Sequence, residues 1–177
     1  MSDVTPELHE RLARVRILLC DVDGILTDAS IYVGEDGEYK RFNVRDGLGL
    51  VIWRREGYRV GWVSARPSAA TALRADELEV DFLVQQKGSK VKAIEQRLAA
   101  DGGTWEEVCY MGDDIVDLGP LERAGLAVCV PTGHPEALAR AHYVTTLGGG
   151  QGAVREVIEL ILRAQGRWSR IVGEYLA

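Results

Sequence analysis

The chain has 177 residues, 27% of them charged with both signs represented, and a formal net charge of −6. That length suits one domain, large enough to bury about 70% of its unfolded surface without a disulfide or metal staple. An acidic balance with no basic stripe argues against a nucleic acid partner, and no apolar run approaches the ~20 residues of a membrane span.

In chain order, the polar, amphipathic segment from Met1 to Arg14 lacks the apolar core of a signal peptide, so the chain reads as cytosolic with no membrane partner. Short apolar runs then recur at Val15 to Cys20, Tyr58 to Val63, Phe82 to Val84, Val108 to Met111, Ala127 to Val130 and His142 to Val144. Between them lie helical patterns at Leu48 to Glu56, Ser68 to Glu77, Lys90 to Ala100, Asp117 to Ala124, Pro135 to Ala141 and Gly152 to Gln165, with a last helix at Trp168 to Leu176. Strands alternating with helices predict an α/β fold, a Rossmann-like parallel sheet with helices on both faces.

Ala29 to Asn43 breaks the alternation. Ser-Ile-Tyr-Val and Glu-Tyr-Lys-Arg-Phe flank Gly34-Glu35-Asp36-Gly37, which predicts a hairpin projecting above the strand ends rather than joining the main sheet. Such a hairpin is marginal alone and is expected to pair with another copy of itself or a neighbouring subunit.

Cys20, Cys109 and Cys129 each sit inside an apolar segment, without CxxC or Cys/His spacing, and read as buried thiols in a reducing compartment. His134 and His142 have no partner at metal spacing and suit packing or helix ends; His9 falls on a surface helix.

The first apolar run ends abruptly in Asp21-Val22-Asp23-Gly24. Ligands of open α/β sheets bind at such carboxyl ends, where two carboxylates at most about 7 Å apart repel unless a cation or proton is shared. A solvated turn closing the strand is the plainer reading of this pair taken alone. Asp21 is suited to attack phosphorus and form an aspartyl phosphate, with Asp23 placed to protonate the leaving oxygen and then deprotonate water.

Three further signals follow in order. Val63-Ser64-Ala65-Arg66 sets a hydroxyl and a guanidinium at the same sheet edge, although a serine after a strand is also a common helix cap. Lys90 opens a helix, where the positive end of the dipole makes a lysine ask for an anionic partner; Lys87 and Lys92 lie close by. Tyr110-Met111-Gly112-Asp113-Asp114-Ile115-Val116-Asp117 again ends a strand in acids, with Asp114 a candidate cap, and a strand-end pair plus a separate carboxylate suits six-coordinate Mg²⁺.

With Asp21 to Asp28, Ser64, Lys90, and Gly112-Asp113-Asp114 with Asp117, the chain resembles the haloacid dehalogenase superfamily of phosphohydrolases. The resemblance is closer still to its branch without a large cap, the 3-deoxy-D-manno-octulosonate 8-phosphate phosphatases. It is carried by Phe42 to Gly49, Ser64 to Ser68 and Gly149 to Glu156, and spans about residues 14 to 165. The resemblance implies one phosphatase domain over residues 1–177, with a hairpin flap at about 29–43 in place of a cap. It implies Asp21 as nucleophile, Asp23 as acid/base, and Mg²⁺ held by the Asp21 carboxylate, the Asp23 main-chain carbonyl and Asp113. Ser64 and Lys90 would bind the transferring phosphoryl group. Asp23, Asn43, Val44, Arg45, Asp46, Gly47, Arg66 and Arg74 would bind the substrate, a sugar acid phosphate, and flap hairpins would form a shared barrel in a homotetramer.

An arginine fork suits a sugar acid's carboxylate, and Arg66, beside the phosphate site, is the first choice, ahead of Arg45 and Arg74. The sister branch acting on nine-carbon sialic-type sugar acid 9-phosphates tends to have glutamate at that place, so Arg66 favours the eight-carbon substrate. Ala65 and Val51 depart from the branch's usual glycine and basic residue, which bears on the substrate more than on the chemistry. Two other readings are a receiver-type phosphoacceptor domain and a catalytically silent oligomerising domain. Asp21 following the first strand within Asp-x-Asp weighs against the former, and the filled catalytic positions against the latter.

Overall fold

The computed structural model describes residues 5–176, so residues 1–4 of the N-terminal segment and the last residue lie outside the described residues. Helix α1 (Pro6–Arg14) begins at a proline, and the Thr5 side chain accepts from Leu8 N to cap it. Eight strands follow: β1 (Ile17–Cys20), β2 (Tyr32–Gly34), β3 (Gly37–Tyr39), β4 (Arg59–Ser64), β5 (Phe82–Gln85), β6 (Val108–Met111), β7 (Leu126–Cys129) and β8 (Tyr143–Val144). The further helices are α2 (Val44–Arg55), α3 (Ala69–Glu77), α4 (Lys90–Asp101), α5 (Leu118–Arg123), α6 (Pro135–Leu138), α7 (Ala153–Ala164) and α8 (Trp168–Glu174).

Six strands form one parallel sheet in the order β5-β4-β1-β6-β7-β8, and β2 pairs with β3 as a separate antiparallel hairpin. The main-sheet order is that of the Rossmann fold, with its switch point between β1 and β6, where a ligand crevice forms at the carboxyl ends. Alternation along β1 divides the core. Leu18 and Cys20 face a layer containing Leu50, Trp53, Val154 and Ile158 from α2 and α7, while Ile17 and Leu19 face Ile94, Leu98 and Leu121 from α4 and α5. No disulfide occurs among the described residues, and Cys20, Cys109 and Cys129 are all buried.

Each expected strand and helix is present, with ends moved by local chemistry. Helix α2 begins at Val44 rather than Leu48, because the Asn43 side chain accepts from Arg45 N and caps it. The segment from Val44 to Gly47, outside the expected helix, is therefore its first turn. The helix expected at Asp117 to Ala124 is a 3₁₀ turn over Ile115–Asp117 leading into α5, with Asp114 capping through Ile115 N. Helix α6 stops at Leu138, three residues short of the expected Ala141. His134 caps α6 by accepting from Glu136 N, and His142 Nδ1 accepts from Ala127 N, so both serve structure. The hairpin turns at Glu35-Asp36, with Gly34 paired to Gly37.

Candidate active site

Four segments converge where β1 and β6 end. Asp21 follows β1, and its backbone N donates to Met111 O at the end of β6, fixing the two strand ends together. The chain then makes a tight turn over Val22–Leu26 in which Gly24 takes φ +99°, a conformation that L residues other than glycine rarely adopt. A Cβ on Gly24 would stand 2.1 Å from Asp113 Oδ2, so glycine is also what lets the Asp113 carboxylate approach the turn.

Oxygens of Asp21, Asp113 and Asp117 all lie within 4.8 Å of one another. Lys90, at the first position of α4, reaches in with Nζ 2.8 Å from Asp21 Oδ1 and 2.7 Å from Asp117 Oδ1. The anionic partner expected for a lysine at a helix start is thus a pair of buried carboxylates. Asp117 is saturated: Oδ1 also accepts from Tyr110 Oη at 2.5 Å, and Oδ2 accepts the backbone N–H groups of Asp113 and Asp114, each at 3.2 Å. Asp113 Oδ1 is different, buried with no hydrogen-bond partner among the described residues.

Charge in this cluster is under-compensated. Burial and the Asp117 charge push the Asp21 carboxyl up to about 7 against the pull of Lys90, and burial with Asp117 and Asp114 pushes Asp113 up to about 7. One ammonium facing three carboxylates, with an orphaned oxygen on Asp113, fits a divalent cation held by Asp21 and Asp113. A cavity of about 240 Å³ opens beside Asp113, lined among others by Gly24, Asp28, Thr132 and Gly149.

Asp23 stands at the rim. Its Oδ1 accepts from Lys40 Nζ at 2.6 Å, and Arg66 Nε is 3.5 Å from Oδ2. Ser64, at the end of β4, is buried; its Oγ accepts from Arg66 N and donates to Arg66 O, both at 3.1 Å. It shapes the loop after β4, and the cap of α3 is Ser68 instead. Arg66 is held by Glu38 of the hairpin, with Nη1 2.5 Å from Oε2, and Ser68 Oγ donates to the same carboxylate.

The remaining sequence candidates make other contacts. Asp46 turns its carboxylate to α7, with Oδ1 accepting from Arg155 N at 2.7 Å, and Arg45 lines a surface cleft with Arg155 and Glu156. Val44 is exposed on the same turn. Arg74 packs over Gly47 and pairs with Glu77 at 2.7 Å; among the described residues no ion pair joins it to Asp21, Asp23 or Asp113. Asp46 and Gly47, in the first turn of α2, pack against α7 and Arg74.

Sequence reasoning gave no role to Tyr110, Lys40 or Glu38 and none to Asp117 beyond its place in the motif. Asp114 and Asp117 form a capping box at the Ile115–Asp117 turn, and that i,i+3 spacing of acids is the signal the sequence carries.

Residues 56–158 match the family model of the haloacid dehalogenase-like hydrolases. The 3-deoxy-D-manno-octulosonate 8-phosphate phosphatase KdsC of Yersinia pestis is 40% identical over 171 residues, covering 96% of this chain and 91% of that protein. The KdsC of Escherichia coli K12 is 37% identical over 172 residues, covering 97% and 92%. Among solved structures, the Moraxella catarrhalis 3-deoxy-D-manno-octulosonate 8-phosphate phosphatase in complex with magnesium ion, phosphate ion and KDO superposes with a TM-score of 0.92. It is 35% identical and covers 96% of this chain and 98% of that one. The chain belongs to the haloacid dehalogenase-like hydrolases, in the family of the 3-deoxy-D-manno-octulosonate 8-phosphate phosphatases.

Proposed function

We propose that this protein is a Mg²⁺-dependent phosphomonoesterase that releases phosphate from 3-deoxy-D-manno-octulosonate 8-phosphate in the cytoplasm through an aspartyl phosphate on Asp21. The observation that carries this reading is the convergence of Asp21, Asp113 and Lys90 at the sheet's switch point, with an Asp113 oxygen left without a partner. Asp21 Oδ attacks phosphorus as the bond to the sugar oxygen breaks; that oxygen takes the electron pair and a proton from Asp23. Water then attacks phosphorus, gives its proton to Asp23, and the bond to Asp21 breaks to release phosphate. Lys90 and the Ser64 loop would meet the phosphoryl oxygens, whose charge needs preorganised donors. Mg²⁺, held by Asp21, Asp113 and the Asp23 main-chain carbonyl, would neutralise charge between carboxylate and phosphate dianion.

Arg66 is the residue assigned to the substrate carboxylate, since its guanidinium already holds a carboxylate, that of Glu38. A phosphate-release screen over eight- and nine-carbon ulosonic acid phosphates and simple hexose phosphates tests the substrate. Fastest turnover of the eight-carbon ester supports the reading, and preference for a nine-carbon or hexose ester refutes it.

The hairpin exposes Ile31, Tyr32, Val33 and Tyr39 and has no third strand among the described residues, which supports assembly of the flaps into a homotetramer. Val33→Asp should then sediment as a smaller species than the parent protein. A parent protein that is monomeric at micromolar concentration contradicts the assembly.

A further inference from the structure

Lys40 lies just beyond β3, in the hairpin, yet its side chain is fully shielded from solvent. Its Nζ stands 2.6 Å from Asp23 Oδ1, a charge-assisted hydrogen bond that bridges the flap to the turn after β1. The other oxygen of Asp23 has a looser neighbour, Arg66 Nε at 3.5 Å, and Arg66 is itself drawn away by Glu38. The two carboxylate oxygens of Asp23 therefore have unequal surroundings. One is pinned by a buried ammonium, and the other is left available.

From this asymmetry we infer that Lys40 is a positioning residue for Asp23: it fixes the carboxylate so that Oδ2, not Oδ1, exchanges the proton. The inference rests on the acid/base role given to Asp23 above. In the first half-reaction the bond between phosphorus and the sugar oxygen breaks as Asp21 bonds to phosphorus, and the proton on Asp23 Oδ2 moves to the departing oxygen. In the second, water bonds to phosphorus, its proton returns to Oδ2, and the bond to Asp21 breaks. Lys40 keeps its own protons throughout. A sugar alkoxide is a poor leaving group and needs that proton, whereas p-nitrophenolate leaves without it. Because kcat/KM covers events only up to departure of the first product, the ratio of kcat/KM for a simple hexose phosphate, an alkyl ester without a carboxylate, to that for p-nitrophenyl phosphate isolates the proton delivery.

Lys40→Met should lower this ratio by about tenfold or more, the scale of loss when a catalytic group is misplaced, and Lys40→Arg should restore part of it. Partial unfolding scales both substrates alike and leaves the ratio unmoved. Asp23→Asn, measured alongside, separates the two levels of the account. If Asp23→Asn collapses the ratio but Lys40→Met leaves it at the parent value, the positioning role of Lys40 is overturned. If Asp23→Asn itself leaves the ratio unchanged, the acid/base reading of Asp23 falls first, and the role of Lys40 falls with it.

Discussion

Lys90 Nζ lies 2.7 Å from Asp117 Oδ1, and through this contact the start of α4 is tied to the turn that follows β6. Both groups are buried, and Asp117 also accepts from Tyr110 and from two backbone N–H groups, so it is a strut rather than a reactant. Lys90 keeps Asp21 when Asp117 is neutralised, but an amide at 117 must turn its own donor toward Lys90 and Tyr110 or toward the two backbone N–H groups, leaving buried donors without an acceptor. Asp117→Asn should therefore cost about 1–3 kcal/mol in urea unfolding, above the ~1 kcal/mol ceiling of a surface pair. A loss below that ceiling means that the pair is not buried in solution.

Gly24 offers a test of the cation site that leaves every carboxylate in place. A Cβ there meets Asp113 Oδ2 at 2.1 Å and must also adopt φ +99°. Gly24→Ala should abolish the increase in melting temperature that Mg²⁺ gives the parent protein, as Asp113→Asn should. A magnesium-dependent increase that survives both substitutions removes Asp113 from the cation site.

Arg66→Ala should reduce kcat/KM for the sugar acid ester by about 10- to 150-fold, the equivalent of the ~1.5–3 kcal/mol of a charged hydrogen bond. Turnover of p-nitrophenyl phosphate, which has no carboxylate, should fall much less. Equal losses on the two substrates argue against carboxylate recognition at Arg66.

The parallel sheet, the hairpin and the acid ends of β1 and β6 were legible in the sequence because each rests on local signals: apolar runs, paired glycines, and carboxylates at strand ends. Lys90 was legible for a related reason, since a cation at a helix start is a misfit that needs an anion. The contacts made by Lys40 and Glu38 were not. They depend on how the flap folds back over the turn after β1, a tertiary choice that no local pattern encodes. The first turn of α2 was missed because Asn43 caps it, and a capping asparagine beside charged residues looks the same as a polar loop.

Asp46 supplies a pH test away from the acid cluster. Burial pushes its carboxyl from 3.8 up to about 6, against the N–H groups of Arg155, Gly152 and Val154, and Oδ2 has no partner among the described residues. A raised folded value means that the neutral carboxyl is the favoured form in the fold. Its contribution is present below the unfolded value and is lost as pH rises through about 6. Asp46→Asn should escape that loss, so its melting temperature relative to the parent should rise between about pH 4 and about pH 7. A difference that stays constant or falls with pH contradicts this environment for Asp46.

The covalent role of Asp21 is tested most directly by the stereochemical course at phosphorus, followed with a substrate whose phosphate is made chiral by oxygen isotopes. Transfer to Asp21 and then to water comprises two in-line displacements, so overall retention of configuration is expected. Net inversion, the signature of a single attack by water, contradicts the aspartyl phosphate.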